Sequence, residues 1–167
     1  IKGWIEDFLD TGSKLVVFLE HLEGIYDDLM VAFPDALSIT GDTSSKKRME
    51  IVERFQNDSN YPLIFCSLRA AGIGLTLTAA SNAAFLELGW NPAQMEQAEA
   101  RLHRPGQKNP VSAWYFLGEG TIDNWMWELN NQKRKVVNTI IDGAAGEYNV
   151  NFLDAIIDKL IQKEPVI

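Results

Sequence analysis

Three runs of strand length, Leu15-Val16-Val17-Phe18-Leu19, Leu63-Ile64-Phe65-Cys66 and Ala83-Ala84-Phe85-Leu86, are apolar at every position. A strand with one wet face alternates apolar and polar residues. Unbroken apolar runs must therefore be covered on both faces, which is the condition of a parallel sheet. The segments between them carry helical spacing, and strands alternating with helices define a three-layer α/β domain.

The spacing predicts strands over 14–19, 36–40, 63–67, 83–88 and 111–117. A first helix is expected over 1–10, where Ile1, Trp4, Ile5, Phe8 and Leu9 recur. A second contains Ile25, Leu29, Val31 and Ala32 and ends near Pro34. A third, capped by Thr43 or Ser44, runs to about Asn57 with Met49, Ile51, Val52 and Phe55 inward. A fourth opens with Pro92 in its first turn and reaches about Arg101. Residues 121–142, with Trp125, Trp127, Leu129, Val136, Val137 and Ile140, read as a long helix that Gly143 stops. One domain is thus placed at 1–143 and a helical tail at 144–167. Ligands of such sheets gather beyond the carboxyl ends of the strands, and this reading sets 40–43, 67–76, 89–91 and 103–107 together on that edge.

With 46% of 167 residues apolar, the chain can bury one substantial core. It holds no run of about 18 apolar residues and no secretory layout at its start, so the expected setting is cytoplasmic, or nuclear in a eukaryote, with no membrane partner. A first residue of Ile, not Met, reads as a piece of something longer. The lone Cys66 lies in an apolar run and reads as a buried hydrophobe. His21 and His103 stand far apart without cysteine partners, so no structural zinc is expected. A net charge of -8 argues against a free-standing nucleic-acid binder, though less against a lobe that grips a strand beside a partner.

The residues richest in chemistry are Arg101 and Arg104. Three apart at a helix end, they can aim two permanent cations at one point, an arrangement suited to the charge that phosphoryl transfer spreads over γ-phosphate oxygens. By composition alone, two solvated surface arginines fit equally well. No phosphate-cradling Gly-x-x-x-x-Gly-Lys-Ser/Thr loop and no acidic magnesium-holding segment accompany them. Trp114, Trp125 and Trp127 read as core or interface anchors, and Lys133-Arg134-Lys135 as a solvated helix face.

The stretch Gln97-Ala98-x-x-Arg101-x-His103-Arg104-x-Gly106-Gln107 resembles motif VI of the Swi/Snf family of DNA-translocating ATPases, in helicase superfamily two. Ser67-x-Arg69-Ala70-Ala71-Gly72-x-Gly74-Leu75-Thr76-Leu77-Thr78 is similar to its motif V, and Glu87-Leu88-x-Trp90-Asn91-Pro92 comes next in order. Gly41-x-Thr43-Ser44 with Arg48 and Phe55 resembles motif IVa, and the strand over 14–19 resembles motif IV. Ala71 and Thr76, where most relatives have Gly and Asn, look like the fork-remodelling, annealing-helicase branch. Ala100 stands for a usual Asp and Pro105 for a usual Ile. Gln107 in place of Arg is typical of double-strand translocases.

The resemblance implies a RecA-like α/β/α second lobe with a mainly parallel sheet. It implies that Arg101 and Arg104 act as arginine fingers on ATP, held with Mg mainly by the first RecA-like lobe of the same protein. Gly72, Gly74 and Gln97 would meet the nucleotide. Gly41, Thr43, Ser67, Arg69 and Trp90 would lie nearest DNA, duplex or forked, in a monomeric motor. A non-catalytic nucleic-acid-binding scaffold, slightly favoured by Ala100, and an RNA-helicase lobe are the competing readings.

Overall fold

The computed structural model describes residues 1–131 apart from Gly72, Ile73, Trp90 and Ile122. Its elements run α1 (Lys2–Leu9), β1 (Leu15–Leu19), α2 (Ile25–Ala32), β2 (Leu37–Ile39), α3 (Ser45–Asn57), β3 (Leu63–Ser67), α4 (Leu68–Ala71), β4 (Asn82–Phe85), α5 (Pro92–Glu99) and β5 (Ser112–Tyr115). Residues 123–131 are helical. The tail at 144–167, the Lys133-Arg134-Lys135 run and the far part of the long helix lie outside the described residues.

All four strand pairings are parallel, in the order β2-β3-β1-β4-β5. The central strands β1 and β3 are buried at every position, as their unbroken apolar composition requires. Alternate residues point to opposite faces, so the sheet divides the core in two. Val16, Phe18, Ile64, Cys66, Ala83 and Phe85 meet Ile51 and Phe55 of α3, Met95 and Ala98 of α5, and Met126 of the last helical stretch. On the other face Leu15, Val17, Leu63, Phe65 and Ala84 meet Ile5 of α1 and Leu29 of α2. Three layers result, as the sequence predicts. Rings from three adjacent strands stack on the first face: Phe18 on Phe85 at 5.0 Å, and Phe85 on Tyr115 at 4.7 Å.

Two helices differ in phase from the expectation. Met49, expected inward, is 74% exposed, and Arg48 is buried in its place. Val31 of α2 is 82% exposed, so Leu29 is the residue that anchors that helix. Ser44 caps α3, accepting from the Lys47 N–H at 3.4 Å, whereas Thr43 serves the preceding turn. Lys14 closes the other end of α3: its ammonium donates to the carbonyls of Phe55, Asp58 and Tyr61 at 2.7, 2.6 and 3.0 Å. A helix terminus leaves such carbonyls without partners, and a cation there also answers the helix dipole. Trp125 and Trp127 pack against the core, as anchors should, while Trp114 stays 45% exposed on the edge strand β5.

Candidate functional site

In a parallel crossover the helix returns antiparallel to the strands, so the residues just past its last turn belong to the amino-end side of the sheet. Arg101 to Gln107 come directly after α5 and occupy that side. Gln107 fixes them there, its amide nitrogen donating to the carbonyls of Ala80 at 2.7 Å, Thr78 at 3.2 Å and Leu102 at 3.3 Å. Its oxygen accepts from the backbone N–H groups of Lys108 and Asn109, each at 3.0 Å. Ala80 immediately precedes the point where Ser81 accepts from Ser112 at the start of β5. The grouping of 103–107 with the other segments on one carboxyl edge therefore does not hold. Counting loops along the sequence misses that the helix carries the chain back.

At the carboxyl edge stand Gly41, Thr43, Ser67 and Arg69. Gly41 gives its carbonyl to Arg48 Nη2 at 2.9 Å, and the Thr43 hydroxyl accepts from the Thr40 N–H at 2.9 Å, which together hold the 40–43 turn. Arg48 is thus buried to shape that turn from beneath, with its Nε left without a partner. Ser67 is buried, and its hydroxyl accepts from the Ala70 N–H at 3.2 Å, starting α4. Arg69 reaches outward with its side chain 79% exposed, 3.6 Å from the Glu20 carboxylate. Gly72 and Trp90 lie outside the described residues.

The segment after α4 joins the two edges. Its Leu75 and Leu77 are buried in the first core, and the Leu77 N–H donates to the Arg101 carbonyl at 2.9 Å. Gly74 has φ +74, a left-handed conformation that glycine adopts without strain. Arg104 lies across this segment. Its Nη1 donates to the Thr76 hydroxyl at 3.1 Å and to the Gly74 carbonyl at 3.4 Å, while Nε donates to the Ala100 carbonyl at the end of its own helix at 3.2 Å. Arg101 is buried beside it. That burial, and secondarily the charge of Arg104, hold the Arg101 guanidinium below the usual arginine range. The structure thus brings Arg101, Arg104 and Gly74 together and leaves Gln97 exposed one helical turn earlier on α5.

Two further residues shape the site. Gln56 of α3 donates to the Thr78 hydroxyl at 2.9 Å and accepts from the Ala79 N–H at 2.7 Å, so two glutamines grip the 78–80 stretch from either side. Glu87 accepts from the N–H groups of Glu20 and His21, both at 2.8 Å, and meets His21 Nδ1 at 3.1 Å, tying the loop after β1 to that after β4. Glu87 is visible in sequence as an acid just past an apolar strand. Gln56 carries no signal, since a glutamine on a helix is ordinarily solvated.

Known proteins share both the sequence and the fold. DNA annealing helicase and endonuclease ZRANB3 from Homo sapiens is 36% identical over 147 residues, 86% of this chain and 14% of that protein. The SWI/SNF-related matrix-associated actin-dependent regulator of chromatin subfamily A-like protein 1 from Xenopus tropicalis is 36% identical over 156 residues, 91% of this chain and 16% of that one. This chain thus spans only a small part of these curated relatives. In fold, the C-terminal part of the Fun30 ATPase domain is similar with a TM-score of 0.71 at 23% identity, over 77% of this chain and 43% of that chain. Residues 3–106 match the family described as Helicase conserved C-terminal domain, and with these relatives the chain belongs to that family, as the C-terminal lobe of a Swi/Snf-type helicase-like ATPase.

Proposed function

We propose that the chain is the second motor lobe of an ATP-dependent DNA translocase, that Arg101 and Arg104 are its arginine fingers, and that it is inactive without the first lobe. The observation that carries the proposal is the contact of Arg104 with Gly74 and Thr76, which joins the finger to the segment that begins at Ser67 and Arg69 on the opposite edge. A nucleotide on one edge and a strand on the other would meet through one stretch of backbone.

The donors suit ATP. Two guanidinium groups and nearby backbone take phosphate oxygens, whereas Mg needs carboxylate or water oxygens that the first lobe would supply. ATP brings the phosphoryl group whose transfer drives the motor. Arg101 and Arg104 would stabilise the negative charge that grows on it, and an anion beside them would also relieve the repulsion between their two charges. Gly74 and Gln97 would border the nucleotide, with Gly72 continuing the same glycine segment. Gly41, Thr43, Ser67, Arg69 and Trp90 are assigned to the nucleic-acid side, where the exposed Arg69 is best placed to reach a backbone phosphate. DNA, duplex or forked, is the expected partner of a monomeric, nuclear or cytoplasmic motor. The scaffold reading draws on Ala100. Yet Arg104 uses only the carbonyl of Ala100, which any residue would offer.

The test is Arg104→Ala in the complete motor, assayed for steady-state ATPase with saturating DNA. Turnover is expected to fall by roughly a thousandfold, with ATP affinity, DNA binding and melting temperature near the parent's. Lysine should rescue poorly, lacking the planar fork. Near-normal turnover would remove Arg104 from the catalytic assignment.

A further inference from the structure

Arg104 is a long side chain that must be held somewhere to act at one point, and free arginine loses about 2 kcal/mol of rotamer freedom when fixed. Its three contacts are unequal in strength. The contact to the Gly74 carbonyl is long, at 3.4 Å, and the Ala100 carbonyl binds only Nε, four residues back in the chain. The Thr76 hydroxyl, at 3.1 Å from Nη1, is the shortest of the three and the one supplied by a side chain.

Thr76 is itself an unusually fixed anchor. Leu75 and Leu77 on either side of it are buried in the core, and the Leu77 N–H is bonded to the Arg101 carbonyl. Gln56 and Gln107 hold the next residues along, through Thr78, Ala79 and Ala80. A β-branched side chain on such a backbone has few rotamers open to it, so the direction of the hydroxyl is set by the fold.

We propose that Thr76 is a positioning residue for Arg104, aiming the guanidinium from the 74–80 segment. The inference rests on the reading of Arg104 as an arginine finger and names a residue through which the segment acts on it. Because Thr76 sits on the segment that starts at Ser67 and Arg69, any shift of that segment carries the hydroxyl, and with it the finger.

The experiment compares Thr76→Val, which keeps shape and β-branching but removes the hydroxyl, with Thr76→Ser, which keeps the hydroxyl. In the complete motor with saturating DNA, Thr76→Val should lower kcat about tenfold with KM for ATP, DNA affinity and melting temperature unchanged, and Thr76→Ser should stay within about threefold of the parent. In an Arg104→Ala background Thr76→Val should cost nothing further, since the group it positions is gone. A second measurement needs no nucleotide: rotation of the Arg104 guanidinium about its Nε–Cζ bond, which the Nη1 contact to Thr76 restrains, should become several-fold faster in Thr76→Val in nuclear magnetic resonance spectra of the complete motor. A full kcat in Thr76→Val, an additive loss in the double variant, or unchanged rotation of the guanidinium each overturns the positioning role while leaving the finger standing. An Arg104→Ala variant with normal turnover sinks the finger reading instead, and this inference with it.

Discussion

Cys66 lies on β3 with no exposed surface, between the sheet and the helices of the first core, and burial pushes its thiol up to about 12. The thiolate is the reactive form, so the native chain should resist thiol reagents at pH 8, and one thiol per chain should react once it is unfolded in denaturant. The sign of the pH effect comes from the same shift. The folded pKa is raised above the unfolded value near 8.5, so the contribution is full below that pH and is lost as the pH climbs toward about 12. The stability advantage of the parent over Cys66→Ala should therefore shrink above about pH 9, by up to about 1.4 kcal/mol per pH unit, in denaturant titrations at matched ionic strength. A constant difference would mean that the thiolate is tolerated in the core. Burial of Cys66 was legible because every neighbour in its run is apolar. The inward turn of Arg48 was not, because hydrophobicity assigns the inside to Met49 next to it, and only the backbone of the 40–43 turn explains why a guanidinium is needed beneath.

At the scale of elements, the strands and longer helices among the described residues were readable, since the sheet is buried on both faces and writes its apolar pattern into the chain. The short helix α4 was not. Four residues leave no period to detect, and the glycines after them disguise them as loop. Its start depends on the Ser67 hydroxyl, a contact without a hydrophobic signature. The candidate residues, named from their motifs, were misread as one place, because they belong to both edges of the sheet. The part on the amino-end side is bound by Gln107, whose amide touches the 78–80 stretch, the end of α5 and the turn beyond it. Gln107→Leu fills the same space with none of these bonds and should destabilise the chain by about 2 kcal/mol, lowering the melting temperature by about 5 °C. Gln107→Glu keeps the acceptor toward Lys108 and Asn109 but offers no N–H to the carbonyls, and should be no more stable than the leucine variant. Melting temperatures equal to the parent's in both would show that water replaces the amide without loss.

For the whole molecule, the proposed sharing of one ATP site between two lobes has a direct consequence. The 167-residue chain alone should hydrolyse no ATP above a blank with or without DNA, and turnover by the purified chain would overturn the division of labour between lobes. With 23 acidic residues against 15 basic ones and a net charge of -8, it should bind duplex DNA weakly, and affinity should fall further as salt rises, because phosphate contacts release counterions. Fluorescence anisotropy at two ionic strengths checks this, and tight binding indifferent to salt would reveal a dedicated recognition surface. The order of the sheet has another outcome, in time. β1 lies at the centre, yet its partners are β3 and β4, with Leu15 set against Leu63 and Asn82. A ribosome adding about 5–20 residues per second delivers the first partner only seconds after the central strand has emerged. Throughout that interval Leu-Val-Val-Phe-Leu has no strand beside it, so an apolar segment stands open to misassembly during the chain's own synthesis, before the strand around which the sheet is laid can find either of its partners.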